Sequence, residues 1–218
     1  MKRIANLIFC IFLSLFIIGA SILLTVGFKE LYYFDIENLN IATNNNLSVE
    51  EVKQNYDYMI DYNLGKISGE FNLPTIKSSL NGKIHFEEVK EIIQNVLRIL
   101  LVSLIISVVG IYINLKNKNI NFLNLTSKLI LILPGVVSIP MIVNFDKTFI
   151  LFHEIMFDND YWIFDPEKDP VINLLPQEFF LHAGIMIVVL ILLSSLIFRL
   201  LYKYLINKNN VYSINRNI

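Results

Sequence analysis

The chain holds three histidines, His85, His153 and His182, and imidazole is the side chain that most readily gives and takes a proton near neutral pH. His85 stands in Ile84-His85-Phe86-Glu87-Glu88-Val89-Lys90, at or next to the start of a long helix. A helix N-terminus disfavours the imidazolium, which biases His85 towards the neutral form that accepts a proton or polarises a carbonyl. His153 falls in a run where Phe149, Phe152 or His153, and Met156 or Phe157 recur at helical spacing, the pattern of an amphipathic, aromatic-faced helix close to lipid. His182 lies at the mouth of an apolar segment and reads as a packing residue. For the other two histidines, a surface or packing role is the competing reading.

Other chemistries have weaker support. A metal site needs three or four ligands, and the sequence has no H-x-x-x-H and a single cysteine, Cys10, inside an apolar run. Asp158, Asp160, Asp165 and Asp169 form an acidic stretch without the glycine and terminal glutamate of a calcium loop, so a solvated loop is expected. No G-x-S-x-G and no phosphate-cradling glycine loop occurs. Arg98 lies one to two turns into an apolar helix, where a charge is costly. It is either functional or snorkels to headgroups.

The elements that carry these residues follow from where the charge sits. The 218 residues have a net charge of −1, with 55% hydrophobic and only 17% charged residues. All 19 acids fall in two blocks, Lys29 to Ile92 with six lysines and eleven acids, and Phe145 to His182 with two lysines and eight acids. The remaining segments carry ten basic residues and no acid. A soluble domain has no reason to sort charge this way. Nucleic-acid binding through net positive charge, a disulfide scaffold and a disordered tail are all excluded.

The expected class is an all-α integral membrane protein with four transmembrane helices and a small extracellular cap built from two outer loops. Spans are expected at 4–28, 92–113, 123–143 and 183–202, each near the ~20 apolar residues that cross a bilayer. The first continues too far to be a cleaved signal and reads as a retained helix. In the third, Pro134-Gly135 and Pro140 should introduce kinks. Lys2, Arg3, Lys116, Lys118, Lys128, Arg199, Lys203, Lys208 and Arg216 put both termini, the 114–122 loop and the 203–218 tail in the cytoplasm. The cap segments 29–91 and 144–182 then face outward, and any chemistry belongs there.

In the first cap segment, Ser48-Val49-Glu50-Glu51 is a capping box that starts a helix running to about Leu64, ended by Gly65. Tyr56 and Tyr62 lie on this helix. Ile67–Phe71 and Thr75–Leu80 have strand character, and Asn81-Gly82 predicts a short hairpin. In the second segment, Trp162 suits the headgroup level, and Pro176 suits the first position of the last helix.

Phe152-His153-x-x-x-Phe157-x-Asn159-x-x-Trp162-x-x-Asp165-Pro166-x-x-Asp169, followed by Pro176 and Phe180, resembles the signature of the lipoprotein intramolecular transacylase family of bacterial four-span membrane proteins. Tyr56 and Tyr62, then His85-Phe86-x-x-Val89-Lys90, agree in kind, while the lead Ser79-Leu80-Asn81-Gly82-Lys83-Ile84 departs from the serine- and acid-containing stretch of the family. The resemblance implies a membrane acyltransferase acting on a diacylglyceryl-cysteine lipoprotein. It would move the sn-2 acyl chain to the lipoprotein's own N-terminal cysteine amine. His85 and His153 match the catalytic pair, and Tyr56, Tyr62, Arg98, Phe152, Phe157, Asn159, Trp162 and Asp165 are the expected substrate contacts. Ester-to-amide conversion is downhill, so no cofactor is expected; the partners are lipoproteins and the bilayer. Two other readings are a non-catalytic protein whose acidic cap binds a partner and, more weakly, a transporter.

Overall fold

The computed structural model describes residues 3–215, so Lys2 and Arg216 of the charge pattern lie outside the described residues. Among the described residues the chain is all helical: α1 Arg3–Gly27, α2 Lys29–Asn38, α3 Ile41–Asn44, α4 Val49–Asn63, α5 Leu80–Lys116, α6 Asn121–Val143, α7 Phe145–Met156, α8 Val171–Leu174 and α9 Gln177–Asn215. Among the described residues, three stretches are long and apolar enough to cross a membrane: Arg3–Gly27, Leu80–Lys116 and Gln177–Lys208. Asn121–Val136 is a shorter apolar helical stretch, although α6 itself continues helical through Pro134 and Pro140.

The chain divides into two compact units. One comprises Met1–Ser21, Arg98–Ile139 and Ile187–Ile218. Its buried cluster is Phe9, Cys10, Leu13, Phe122 and Leu123. Gly110 is required there, because a Cβ would collide with the Phe9 ring. Ser195 Oγ donates to the Ser127 carbonyl at 2.7 Å, and Arg199 bonds Asn124, so polar groups of α9 are satisfied on α6. Outward-facing Ile105, Val108, Leu192, Leu196 and Ile197 are exposed, as suits a hydrocarbon rather than an aqueous surround.

The other unit comprises Ile22–Leu97 and Pro140–Met186. Its core gathers Tyr32 and Ile36 of α2, Ile41 of α3, Val52, Tyr56, Met59 and Tyr62 of α4, Phe86 of α5, and Val171 and Leu174 of α8. The expected capping box is present: Ser48 Oγ accepts from Glu51 N at 3.2 Å, and the Glu51 carboxylate accepts from Ser48 N at 2.9 Å. The helix closes at Leu64, and Gly65 takes φ +77°.

The expected hairpin does not form, and the described residues contain no strand. Side chains satisfy the backbone that a ladder would have used. Asn55 accepts from Thr75 N at 3.2 Å, Tyr58 Oη accepts from Asn72 N at 3.0 Å, and Lys90 Nζ donates to the Ile67 carbonyl at 2.9 Å. Asn81 and Gly82 lie in the first turn of α5, whose entry is capped by Ser79: Oγ accepts from Gly82 N at 3.0 Å. Pro176 precedes α9 rather than opening it, since the helix begins at Gln177.

Candidate active site

Two helix ends deliver the histidines. His85 lies in the second turn of α5, and the start of that helix is clamped by Asp169. The Asp169 carboxylate is 4% exposed and accepts from Ser79 N at 2.7 Å and Ser79 Oγ at 2.6 Å. Gly82 is needed at this junction, because a Cβ there would run into the Asp169 carboxylate. His153 lies in the last turn of α7, a helix whose N-cap Asn144 accepts from Lys147 N at 3.0 Å. None of the α7 side chains is fully buried.

The two imidazoles face each other with ring centroids 6.2 Å apart and planes 30° from parallel. Phe157, the residue that ends α7, packs 4.7 Å from His85 and 5.7 Å from His153. Phe164 meets His85 edge-on at 5.3 Å, and Trp162 lies 4.9 Å from His153. Phe149 at 4.3 Å and Phe152 at 5.4 Å complete the aromatic surround of His153.

The electrostatics follow from that wall. His85 is 6% exposed, and its Nδ1 is buried with no hydrogen-bond partner among the described residues. Burial, reinforced by the neighbouring His153, pushes its pKa down to about 4, so it is neutral at physiological pH. Burial also lowers His153, partly offset by its bond to the Phe149 carbonyl. In that bond Nδ1–H must donate, at 2.7 Å, because a carbonyl can only accept. The neutral ring is thereby held in the tautomer that leaves the Nε2 lone pair open. An imidazole in this state suits proton acceptance, and a second, neutral imidazole beside it suits stabilisation of a developing oxyanion.

The other expected site residues divide into four groups. Phe152, Phe157 and Trp162 join the histidines, and Asn159 reaches α5, where its Nδ2 donates to Glu88 Oε1 at 2.7 Å. Tyr56 and Tyr62 are buried in the core instead: Tyr56 stacks on Tyr32 at 3.7 Å, and Tyr62 packs on Phe71 at 5.1 Å beneath the Lys90 ammonium. Asp165 organises its own turn, accepting from Glu167 N at 3.0 Å and pairing with Lys168 at 3.2 Å. Arg98 is exposed on α5 and belongs to the other unit.

Three features were not singled out from the sequence. Glu88 follows His85 by three residues on a helix, a spacing that could have marked it. Phe164 had no periodicity to place it. His182, read as a packing residue, donates from Nδ1 to the fully buried Asp35 of α2, 2.9 Å from each carboxylate oxygen. Only the fold could reveal that pair, because its members are remote in sequence.

The helices define a membrane-type helical protein, and the paired, desolvated imidazoles are its candidate site for proton transfer. The family model of the lipoprotein intramolecular transacylase Lit matches residues 7–180, and the chain belongs to that family. Among solved structures, the membrane integral lipoprotein intramolecular transacylase Lit from Bacillus cereus superposes with a TM-score of 0.93 at 40% identity, covering 97% of this chain and 98% of that one. Structures of the Bacillus cereus protein with the H85R and H85A mutations give TM-scores of 0.89 at 39% identity, covering 97% of this chain and 95% and 96% of theirs. No curated protein sequence matches. The chain is thus a multi-pass membrane acyltransferase.

Proposed function

We propose that this protein moves the sn-2 acyl chain of a diacylglyceryl-cysteine lipoprotein onto the lipoprotein's own N-terminal amine, leaving an N-acyl, S-monoacylglyceryl product. The observation that carries this reading is the facing pair His85 and His153, 6.2 Å apart in an aromatic wall, within a chain of the transacylase family. His153 Nε2 takes the proton from the amine, whose nitrogen attacks the sn-2 ester carbonyl carbon as the carbonyl π pair moves to oxygen. Neutral His85 donates a hydrogen bond to that oxyanion. The intermediate collapses by breaking the bond to the glycerol sn-2 oxygen, which takes the proton from His153. One ester is lost and one amide formed, with no net oxidation or hydrolysis.

Donor and acceptor belong to one molecule, so folding the lipid into attack geometry supplies much of the rate, up to ~7–11 kcal/mol for well-oriented groups. Phe152, Phe157, Trp162 and Phe164 exclude the water that would otherwise compete for the ester. Tyr56 and Tyr62 support this wall from the core. Arg98, on α5, serves lipid headgroups.

The chain crosses the bilayer four times, the fourth span being α6, with both termini in the cytoplasm and the site at the outer face of a bacterial cell membrane. The segments 29–91 and 144–182 form the outer cap. The sorting of acidic and basic residues supports this orientation.

The experiment is tandem mass spectrometry of a diacylglyceryl-cysteine lipopeptide incubated with the purified protein. The intact mass is unchanged by an intramolecular transfer, so the informative signal is an N-terminal fragment carrying one acyl chain on nitrogen. Its appearance with the wild-type chain, and its loss with His153→Ala, is the expected result. Unchanged lipid with folded wild-type protein would overturn the reading.

A further inference from the structure

Glu88 presents an acceptor with nothing to accept. Its Oε2 is buried and has no hydrogen-bond partner among the described residues, whereas Oε1 receives Asn159 Nδ2 at 2.7 Å. Asn159 is itself oriented, because its Oδ1 accepts from Tyr161 N at 2.9 Å, leaving Nδ2 as the donor to Glu88. The carboxylate is therefore held by one oxygen with the other free. Leaving such an atom buried and bare costs free energy, and a donor supplied by a ligand would remove that cost.

Its surroundings indicate which ligand. Glu88 follows His85 by three residues and so shares its face of α5. Asn159 follows by two residues the Phe157 ring that packs on both imidazoles. Glu88 is thereby tied to the segment whose Phe157 packs on both histidines, and its unpartnered oxygen seeks a donor, preferably a cationic one. The substrate proposed above brings one such group close to its reacting ester: the N-terminal ammonium.

We propose that Glu88, oriented by Asn159, binds the N-terminal ammonium of the lipoprotein through Oε2 and so presents the amine to His153. The assignment rests on the transacylase reading for the identity of the cation. A fixed carboxylate partner selects lipids with a free amine and aims the nitrogen; the ammonium releases one proton to solvent, and the resulting amine gives its next proton to His153 as it attacks. An N-acylated lipoprotein, lacking the ammonium, is then a poor ligand, which makes the transfer self-limiting.

The test uses two non-reactive dialkyl-ether lipopeptides, one with the cysteine amine and one with hydrogen in its place. Equilibrium binding is measured in a detergent free of ammonium-bearing lipid. Wild-type protein is expected to prefer the amine by roughly tenfold to a hundredfold, as for a hydrogen bond to a charged group. Glu88→Gln is expected to lose most of that preference while binding the des-amino peptide as wild type does. Retention of the preference in Glu88→Gln, or no preference in wild type, overturns the proposal. If Glu88→Gln binds neither peptide, Asn159→Ala decides: a reduced preference supports the assignment, and an unchanged one overturns it. Turnover of the diester lipopeptide by wild type, measured alongside, reports separately on the transacylase reading.

Discussion

His85 and His153 reach the same neutral state by different routes, and the difference is measurable. His85 is desolvated and bare at Nδ1, whereas His153 keeps its Nδ1 proton on the Phe149 carbonyl. Nitrogen-15 spectra of labelled histidines are expected to show His153 as the Nδ1-protonated tautomer and His85 still neutral at pH 6. A His85 signal that titrates near the ordinary 6.5 would contradict the burial argument. The same shifts set a sign for stability. A histidine whose folded pKa lies below its unfolded value contributes stability that is present above pH 6.5 and lost as pH falls towards the folded pKa, here about 4 for His85. Thermal unfolding midpoints should therefore decline between pH 6.5 and 4, and less so in His85→Phe. His153→Ala is expected to lower kcat by at least ~100-fold, the usual scale for removing a general base.

At the level of elements, the entry to α5 concentrates the strictest requirements. Ser79, Gly82 and Asp169 form one junction, so Asp169→Ala strips two hydrogen bonds from the cap that aims His85. A stability loss of about 1–3 kcal/mol, read as a lowered Tm, is expected. Gly82→Ala should behave similarly through its clash with the carboxylate, and Asp169→Ala should partly relieve it in the double variant. This junction also marks where sequence reading stops. The capping box at Ser48 and the aromatic period of α7 were legible because their signals are local. Asn81-Gly82 misled because a turn-forming pair also fits the first helical turn once Ser79 caps it, and that cap depends on Asp169, 90 residues away. Tyr56 and Tyr62 had the right spacing for a site, but their helix turns both rings into the core. Only the family resemblance paired His85 with His153, whose rings the structure sets 6.2 Å apart, and nothing in the sequence paired Asp35 with His182, because neither residue carries a local sign of the other.

For the molecule as a whole, the charge distribution makes a topological prediction. In a Cys10→Ser background, a cysteine replacing Asp160 should react with a membrane-impermeant maleimide in intact cells, and one replacing Lys118 should react only after permeabilisation. The reverse pattern would invert the orientation. One feature of α7 bears on how such a protein handles a substrate anchored in lipid. The helix that carries His153 has no fully buried side chain, while Ile150, Leu151 and Ile155 are exposed and apolar. Such an element should open locally at low free energy, and its amides should exchange with deuterium sooner than those of α4. On the proposed mechanism, the base is thus carried by a helix whose exposed face is apolar. A lipopeptide bound at the proposed site should therefore slow exchange across Phe145–Met156 more than elsewhere.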